Sequence, residues 1–317
     1  MPAPALLCPF TGTPMRPWLT VASDWRRPDE PGDWQLWWSE EGQFGQVHPR
    51  PEPQAIGGFY DLADYHTHAD ARPTRHNALT RLMLGIAWRL DRGCPMDDAY
   101  WQAVAPAGAT LDIGCGDGGL LEAMAIHMES GIGVEPDPRA RARAAARGIT
   151  ALEGTAEDLP AKVLARRFDI ITFMHVLEHC LDPKKALAQA AGLLNEAGRI
   201  VIEVPNNAAL GLRQAGAFWR WLDVPRHLNF FTETSLRSLV TQAGLEVVRC
   251  DYDGYTRQFL PDWITDEARI EATLKGQRAT PAWRSRHLGR ALRLLARTAL
   301  ARPARKYDSV RLVCRRA

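Results

Sequence analysis

From Leu111 to Leu120 the chain reads Leu-Asp-Ile-Gly-Cys-Gly-Asp-Gly-Gly-Leu: an apolar run short enough for one buried strand, then four glycines within six residues. The Leu120 to Ala125 stretch resumes at helical spacing, which predicts strand, tight turn and helix in that order. Glycine suits such a turn because the backbone takes positive φ and a ligand must approach without a Cβ in the way. The rest of the chain agrees with an open α/β sheet. Strands are expected at 110–113, 131–135, 149–152, 168–173, 199–204, 245–252 and 308–315, and helices at about 118–129, 137–147, 182–195 and 232–243. Right-handed crossovers between them make a doubly wound sheet.

Gly114-x-Gly116-x-x-Gly119 also satisfies the dinucleotide fingerprint, with Glu135 about 20 residues further on at the end of a second strand, Ile132-Gly133-Val134. The glycines alone therefore do not choose the ligand. A pyrophosphate at the helix N-terminus would meet Asp117 and approach Asp112, which like-charge repulsion disfavours. S-adenosylmethionine carries a sulfonium and an ammonium instead, and a carboxylate ending the second strand can accept from both ribose hydroxyls.

The segment resembles motif I of the class I S-adenosylmethionine-dependent methyltransferases. The likeness continues through Gly133-Val134-Glu135-Pro136-Asp137, Glu153 to Leu159, Phe168 to His179 and Gly198 to Asn206, covering about residues 75–255. It implies a Rossmann-like seven-stranded sheet of order 3-2-1-4-5-7-6, the last strand antiparallel. Ligands of open sheets sit at the carboxyl ends of the strands. Gly114, Cys115 and Gly116 are then expected to present backbone to the methionyl part, and Asp112 to hold the turn or meet the ammonium through water. Glu135, with Pro136 beside it, takes the ribose. Ala156 and Glu157 correspond to the loop flanking the adenine, and Met174 to a position that contacts the cofactor in ubiquinone-pathway O-methyltransferases. The plainer roles are a capping Asp112, a surface Glu157 and a core Met174.

In-line methyl transfer needs an aligned acceptor and, for a hydroxyl, a base. His175, His179 and His227 fall on strand-end loops, and His227 lies in Asp223 to Phe231, a stretch that faces the acceptor in the resembled family. A neutral imidazole suits a base near pH 7; packing against Phe230 and Phe231 is the plainer role for His227. Arg226, Asn206 and Tyr65 are the further candidates on the acceptor side. Ubiquinone-pathway enzymes carry Glu-x-x-Glu-His for a divalent metal where this chain has His175-Val176-Leu177-Glu178-His179. With histidine in the first place, the run could still hold zinc or another soft-tolerant cation on a short helix, but Glu178 and His179 are expected to be structural and no metal is expected.

Residues 1–70 are expected to form a separate loop-rich module and residues 71–317 the methyltransferase domain, with a basic helical insertion at about 264–306. Five of the eleven tryptophans, Trp18, Trp25, Trp34, Trp37 and Trp38, crowd the module, which reads as a β-ribbon over about 34–47 packed by aromatics. Its layout resembles the zinc ribbon before some bacterial methyltransferases, but Thr11 stands where the second cysteine of a knuckle would be, so no metal is expected. Tyr65, in the lead-in Gly58 to His68, would close over the bound molecules or clamp module to core. His66, His68 and His76 are read as surface residues, and a helix is expected over Asn77 to Arg92.

The six cysteines are scattered without a C-x-x-C pair, so neither a disulfide scaffold nor a zinc site is supported and the cytoplasm fits best. From Ile264 to Ala317 fourteen basic residues face four acidic ones, leaving that tail at +10 and the remainder at −8. A neutral enzyme with one basic appendage is favoured over a nucleic-acid binder. Within the appendage, Leu288, Ala291, Leu292, Leu295 and Ala299 share one helical face, with Arg286, Arg290, Arg293 and Arg297 opposite. This 284–302 helix is either a lid with solvated arginines or a peripheral contact with an anionic membrane or lipid-linked substrate. The expected activity is O-methylation of a small molecule, sugar or lipid-linked acceptor. A silent methyltransferase-like binding subunit and a nicotinamide oxidoreductase are the alternatives.

Overall fold

The computed structural model describes residues 5–29, 31–60, 78–105 and 107–317. An antiparallel meander comes first: β1 (Arg16–Ser23), β2 (Pro31–Ser39) and β3 (Phe44–His48), followed by the helices α1 (Pro53–Phe59), α2 (Ala78–Leu90) and α3 (Asp98–Val104). Strand and helix then alternate through β4 (Ala109–Ile113), α4 (Gly119–Ala123), β5 (Ser130–Val134), α5 (Pro138–Ala146), β6 (Ala151–Leu152), α6 (Ala161–Leu164), β7 (Phe168–Met174), α7 (Pro183–Leu193) and β8 (Leu194–Pro205). Next come α8 (Leu210–Ala215), β9 (Asn229–Phe230), α9 (Glu233–Gln242) and β10 (Leu245–Asp253). A helical hairpin of α10 (Pro261–Leu274) and α11 (Pro281–Thr298), then α12 (Pro303–Lys306), lead into β11 (Ser309–Arg316).

The main sheet runs β10-β11-β8-β7-β4-β5-β6, with β11 antiparallel to both of its neighbours. This is the expected 3-2-1-4-5-7-6 order. Leu111 and Ile113 of β4, Ile171 and Phe173 of β7, and Ile200 and Ile202 of β8 are fully buried, as strands covered on both faces should be. Helix starts follow the caps in the sequence. Asp137 accepts from the Arg139 amide before Pro138, Asp182 from Lys185 before Pro183, and Thr232 and Ser235 form a reciprocal capping box, so each helix begins directly past a strand or loop end.

Some boundaries differ from the sequence reading. The helix expected at 118–129 stops at Ala123 and tightens into a 3-10 turn at Ala125–His127. β8 starts at Leu194, before its expected position, and its register against β7 jumps from Phe168–Leu194 to Ile170–Arg199. The β-ribbon expected near 34–47 is present as β2 and β3, but it does not stand alone. β3 pairs with β9, Gly45 opposite Phe230 and Gln46 opposite Asn229, so a segment of the main body supplies the fourth strand of the N-terminal sheet. Trp18 packs on Trp38 at 4.9 Å and on Phe230 at 6.1 Å, while Leu36, Val47, Trp219, Leu222 and Trp263 share one buried cluster. Cys8 is buried with Met15 and Phe44, and all six cysteines are reduced.

Candidate active site

Gly114, Gly116 and Gly118 take φ of +74°, +53° and +79°, so the turn after β4 uses the left-handed backbone that glycine permits. A Cβ on Gly116 would meet nothing within 4 Å, whereas one on Gly114 would lie 2.5 Å from Val176. The turn is thus open over Gly116 and pressed at Gly114 against the loop that follows β7. Cys115 turns its thiol inward against Gly133, leaving backbone at the open side. Glu135 accepts from the Gly116 amide at 3.0 Å and the Asp137 amide at 2.9 Å. Each oxygen retains a lone pair, and burial raises the carboxyl above its ordinary range.

The two acids that argue against a pyrophosphate in the sequence are both quenched. Asp117 pairs with Arg147 at 2.8 Å. Asp112 is buried, which pushes its carboxyl up to about 7 against a 2.6 Å hydrogen bond from Thr172. Glu135 is a carboxylate that bonds the turn's own backbone, at the Gly116 amide. Pro136 is exposed beside it, Met174 is half-buried at the end of β7, and Ala156 is buried in the core. Glu157 accepts from the Asp182 and Leu181 amides at 2.6 and 3.3 Å, so its side chain fastens the start of α7.

Past β7 the chain turns through His175, at φ +56°. Its Nδ1 meets Glu178 Oε1 and its Nε2 meets Glu203 Oε1, each at 3.2 Å, while Trp221 stacks on the ring at 4.9 Å. Burial alone would lower this imidazole, but the two carboxylates prevail and hold it up at about 9. His175 is therefore a clamped imidazolium near neutral pH and has no lone pair for a base. Glu203, further neutralised by Arg311 at 2.7 Å, is pulled down to about 2 despite its burial.

His227 has the opposite character. Burial, with His179 beside it, pushes it down to about 4. Its Nδ1 lies 2.7 Å from the Trp221 carbonyl; a carbonyl only accepts, so Nδ1 carries the proton and Nε2 is a bare acceptor. By the same argument His179 Nδ1 donates to the Arg226 carbonyl at 3.0 Å, with the Tyr60 hydroxyl at 2.8 Å, leaving its Nε2 bare. The two rings meet edge to face at 4.6 Å. Glu178 Oε2 is buried without a hydrogen-bond partner, and Glu178, His179 and His227 bring ligand atoms within 4.8 Å of one another.

The remaining acceptor-side candidates part company here. Arg226 is 1 % exposed, and its guanidinium is consumed by Asp24 at 2.7 and 2.8 Å and Asp223 at 3.0 and 3.1 Å. It is an internal post and not a substrate ligand. Asn206 is fully buried and donates to the Ala304 and Tyr307 carbonyls, which also removes it from the acceptor side. Tyr65, His66, His68 and His76 lie outside the described residues.

Sequence reasoning missed two side chains of the N-terminal segment. Arg50, after β3, donates to the carbonyls of Leu228, Cys180 and Leu181 and to Asn229 Oδ1, at 2.6 to 3.1 Å. Burial lowers it to about 10. It ties the loop bearing Glu178 and His179 to the loop bearing His227. Asp24 does the same through Arg226, whose own carbonyl holds His179. Neither residue sits in a recognisable motif; a lone Arg or Asp between strands gives no local signal. A concavity of about 570 Å³ lined by Gln102, Val104, Arg199, Val248, Arg249 and Val313 lies away from all of these groups.

Residues 98–249 match a family model described as a methyltransferase domain. The match runs from α3 into β10 and includes the glycine turn, Glu135, Glu178, His179 and His227, but neither β1, β2 and β3 of the N-terminal sheet nor α10, α11 and β11. A ubiquinone biosynthesis O-methyltransferase of Cereibacter sphaeroides is 37% identical over 150 residues, 44% of this chain and 60% of that protein. One of Azorhizobium caulinodans is 26% identical over 223 residues, 67% of this chain and 76% of that protein. A SAM-dependent methyltransferase of Thermotoga maritima superposes with a TM-score of 0.40 at 24% identity, covering 54% of this chain and 74% of that one. The chain thus spans about 60% of the length of the first of these curated relatives.

Proposed function

With the match of residues 98–249 to a methyltransferase-domain model as the premise, we propose that the protein is a class I methyltransferase that transfers a methyl group from S-adenosylmethionine to a hydroxyl of a small-molecule, sugar or lipid-linked acceptor. The observation that carries this reading is the contact between Gly114 and Val176, which sets the open glycine turn against the loop leading to Glu178 and His179. The cofactor fits what is there: free space over Gly116 where any side chain would intrude, and Glu135 beside it with acceptor capacity to spare. Gly114 to Gly116 and Glu135 would hold it. Bound there, it supplies a methyl carbon already activated by the sulfonium.

The chain's own residues then have to orient the acceptor and take its proton. His227 fits the base, being neutral at physiological pH with Nδ1–H fixed on the Trp221 carbonyl and Nε2 free. The imidazolium it becomes lies beside the Glu178 carboxylate, which offsets part of the cost of charging a buried ring. His179 lines the same pocket. His175 does not take a proton; it keeps Glu178 and Glu203 from repelling each other.

Calorimetry with S-adenosylhomocysteine and with NAD tests the cofactor: binding of the first and not the second is expected. The reverse would favour a nicotinamide oxidoreductase, and binding without turnover on any acceptor a silent binding subunit. A second reading of the pocket rests on the unpartnered Glu178 oxygen. Together with the bare Nε2 atoms of His179 and His227 it forms a donor set that suits a divalent cation such as zinc, and the ubiquinone-pathway resemblance points the same way. Such an ion would lower the pKa of an acceptor hydroxyl, and His227 would then be a ligand and not the base. Metal analysis of the purified protein decides: no stoichiometric ion is expected, and one equivalent lost in His227→Ala hands the pocket to the metal reading.

A further inference from the structure

Of the ten large apolar side chains exposed among the described residues, four lie on the thirteen-residue α2: Leu79, Leu82, Ile86 and Trp88, with Leu82 62 % and Trp88 69 % exposed. At 100° per residue, Leu79, Leu82, Ile86 and Arg89 fall within about 80° of arc. The opposite arc is already used. Met83, Leu84 and Ala87 are buried in one cluster with Ala291, Leu294 and Leu295 of α11 and with Tyr255 and Phe259. A helix apolar on both sides needs a second apolar neighbour or a lipid phase.

The charge around it chooses between these. Neither α2 nor α11 contains an acidic residue. In α11 the buried stripe is Trp283, His287, Ala291, Leu294, Leu295 and Thr298. Arg290 does not join the arginine face expected from the sequence, because it is half-buried and pairs with Glu271. Arg293 and Arg297 remain exposed, with no acidic partner among the described residues, and Leu300 just beyond the helix is 99 % exposed. A second copy of the chain would bring arginines against arginines. An anionic bilayer offers phosphates to the arginines and an acyl boundary to Leu79, Leu82 and Ile86; Trp88 projects well away from that arc, beside the buried Leu84.

We infer that the outer face of α2, with Arg293 and Arg297 of the adjoining α11, docks this protein on an anionic lipid surface. The contact is peripheral: among the described residues no helix is long and apolar enough to cross a membrane. It stands independently of the methyl-transfer reading. Two parts of the surface act in different ways. The arginines respond to lipid charge and to salt, each contributing about fivefold in partitioning, while the α2 side chains respond to neither.

The test is co-sedimentation of the full chain with vesicles of phosphatidylcholine alone and of phosphatidylcholine mixed with phosphatidylglycerol. The wild type is expected to pellet with the mixed vesicles only, and less at high salt. Arg293→Gln with Arg297→Gln should reduce pelleting by about tenfold or more, and Leu82→Ser with Ile86→Ser should reduce it even at low salt. Circular dichroism and gel filtration of each variant establish that it is folded. Wild type left in the supernatant with mixed vesicles, or folded variants that pellet as the wild type does, overturns the inference. A wild-type dimer that Leu82→Ser with Ile86→Ser converts to monomer overturns it in favour of a second copy.

Discussion

Glu135 occupies a position where loss of a single carboxylate should be felt by the cofactor and little else. It braces the Gly116 and Asp137 amides, so Glu135→Ala removes both the acceptor for a ribose and the brace of the turn. S-adenosylhomocysteine affinity should fall by about 1.5–3 kcal/mol; calorimetry reads it, and unchanged affinity takes Glu135 out of the site. His227→Ala should lower turnover by roughly 10²–10⁴-fold with cofactor affinity intact. Because burial holds His227 at about 4, the proposed base is ready throughout the neutral range, and the acid limb of kcat/KM, where activity falls, should appear only as pH drops through about 4. A limb near the unperturbed histidine value, about 6.5, would exclude it. The glycine turn was legible in the sequence because its meaning is local: within six consecutive residues, Gly114, Gly116 and Gly118 each take a backbone that favours glycine. The three histidines were legible as candidates but not as roles. Which ring is cationic, and which nitrogen is bare, depends on Glu203, Trp221 and Arg226, none adjacent to the histidine it governs.

Among the elements, β3 and β9 deserve comparison with the strands read correctly in advance. A two-residue strand such as Asn229–Phe230 carries no periodicity, and its pairing with β3 joins segments far apart in the chain. Arg50 shows what that pairing accomplishes. From the end of β3 it satisfies four acceptors on the loops after β7 and before β9. Arg50→Ala should leave the Leu181 carbonyl without its donor, while the Leu228 and Cys180 carbonyls keep Val47 N–H and Asn229 Nδ2, and should destabilise the protein by about 1–3 kcal/mol, measured by urea unfolding. In the folded fraction, kcat should fall while S-adenosylhomocysteine affinity is retained, since Arg50 makes no contact with the glycine turn. Equal losses in both would mean that the loops do not move independently of the cofactor side. α11 is the reverse lesson: amphipathic spacing predicted a helix with an arginine face, but only the partner Glu271 shows that Arg290 faces inward.

Across the whole molecule, one charge chain runs from the loop after β7 onto β8 and β11, from Glu178 through His175 and Glu203 to Arg311. Its pH signature can be stated. His175 is held at about 9 in the fold against about 6.5 unfolded, so the stability it contributes is complete below about 6.5 and is lost as pH rises through about 9. Unfolding midpoints should decline across that interval in the wild type and much less in His175→Ala, which at neutral pH should already be about 3–5 kcal/mol less stable because two buried carboxylates lose their shared cation. A flat wild-type profile would contradict the clamped imidazolium. Strand order was legible through resemblance alone; nothing in the spacing says that β11 inserts between β8 and β10. That insertion also has a consequence for synthesis. About 55 residues separate the end of β10 from the start of β11, which at ribosomal speeds of about 5–20 residues per second is a delay of roughly 3–11 s. During it β8 presents an open edge, β10 has no neighbour, and Glu203 waits for its arginine. The nascent chain is therefore an unfinished sheet for several seconds, and a chaperone that shields strand edges has its natural client in that interval.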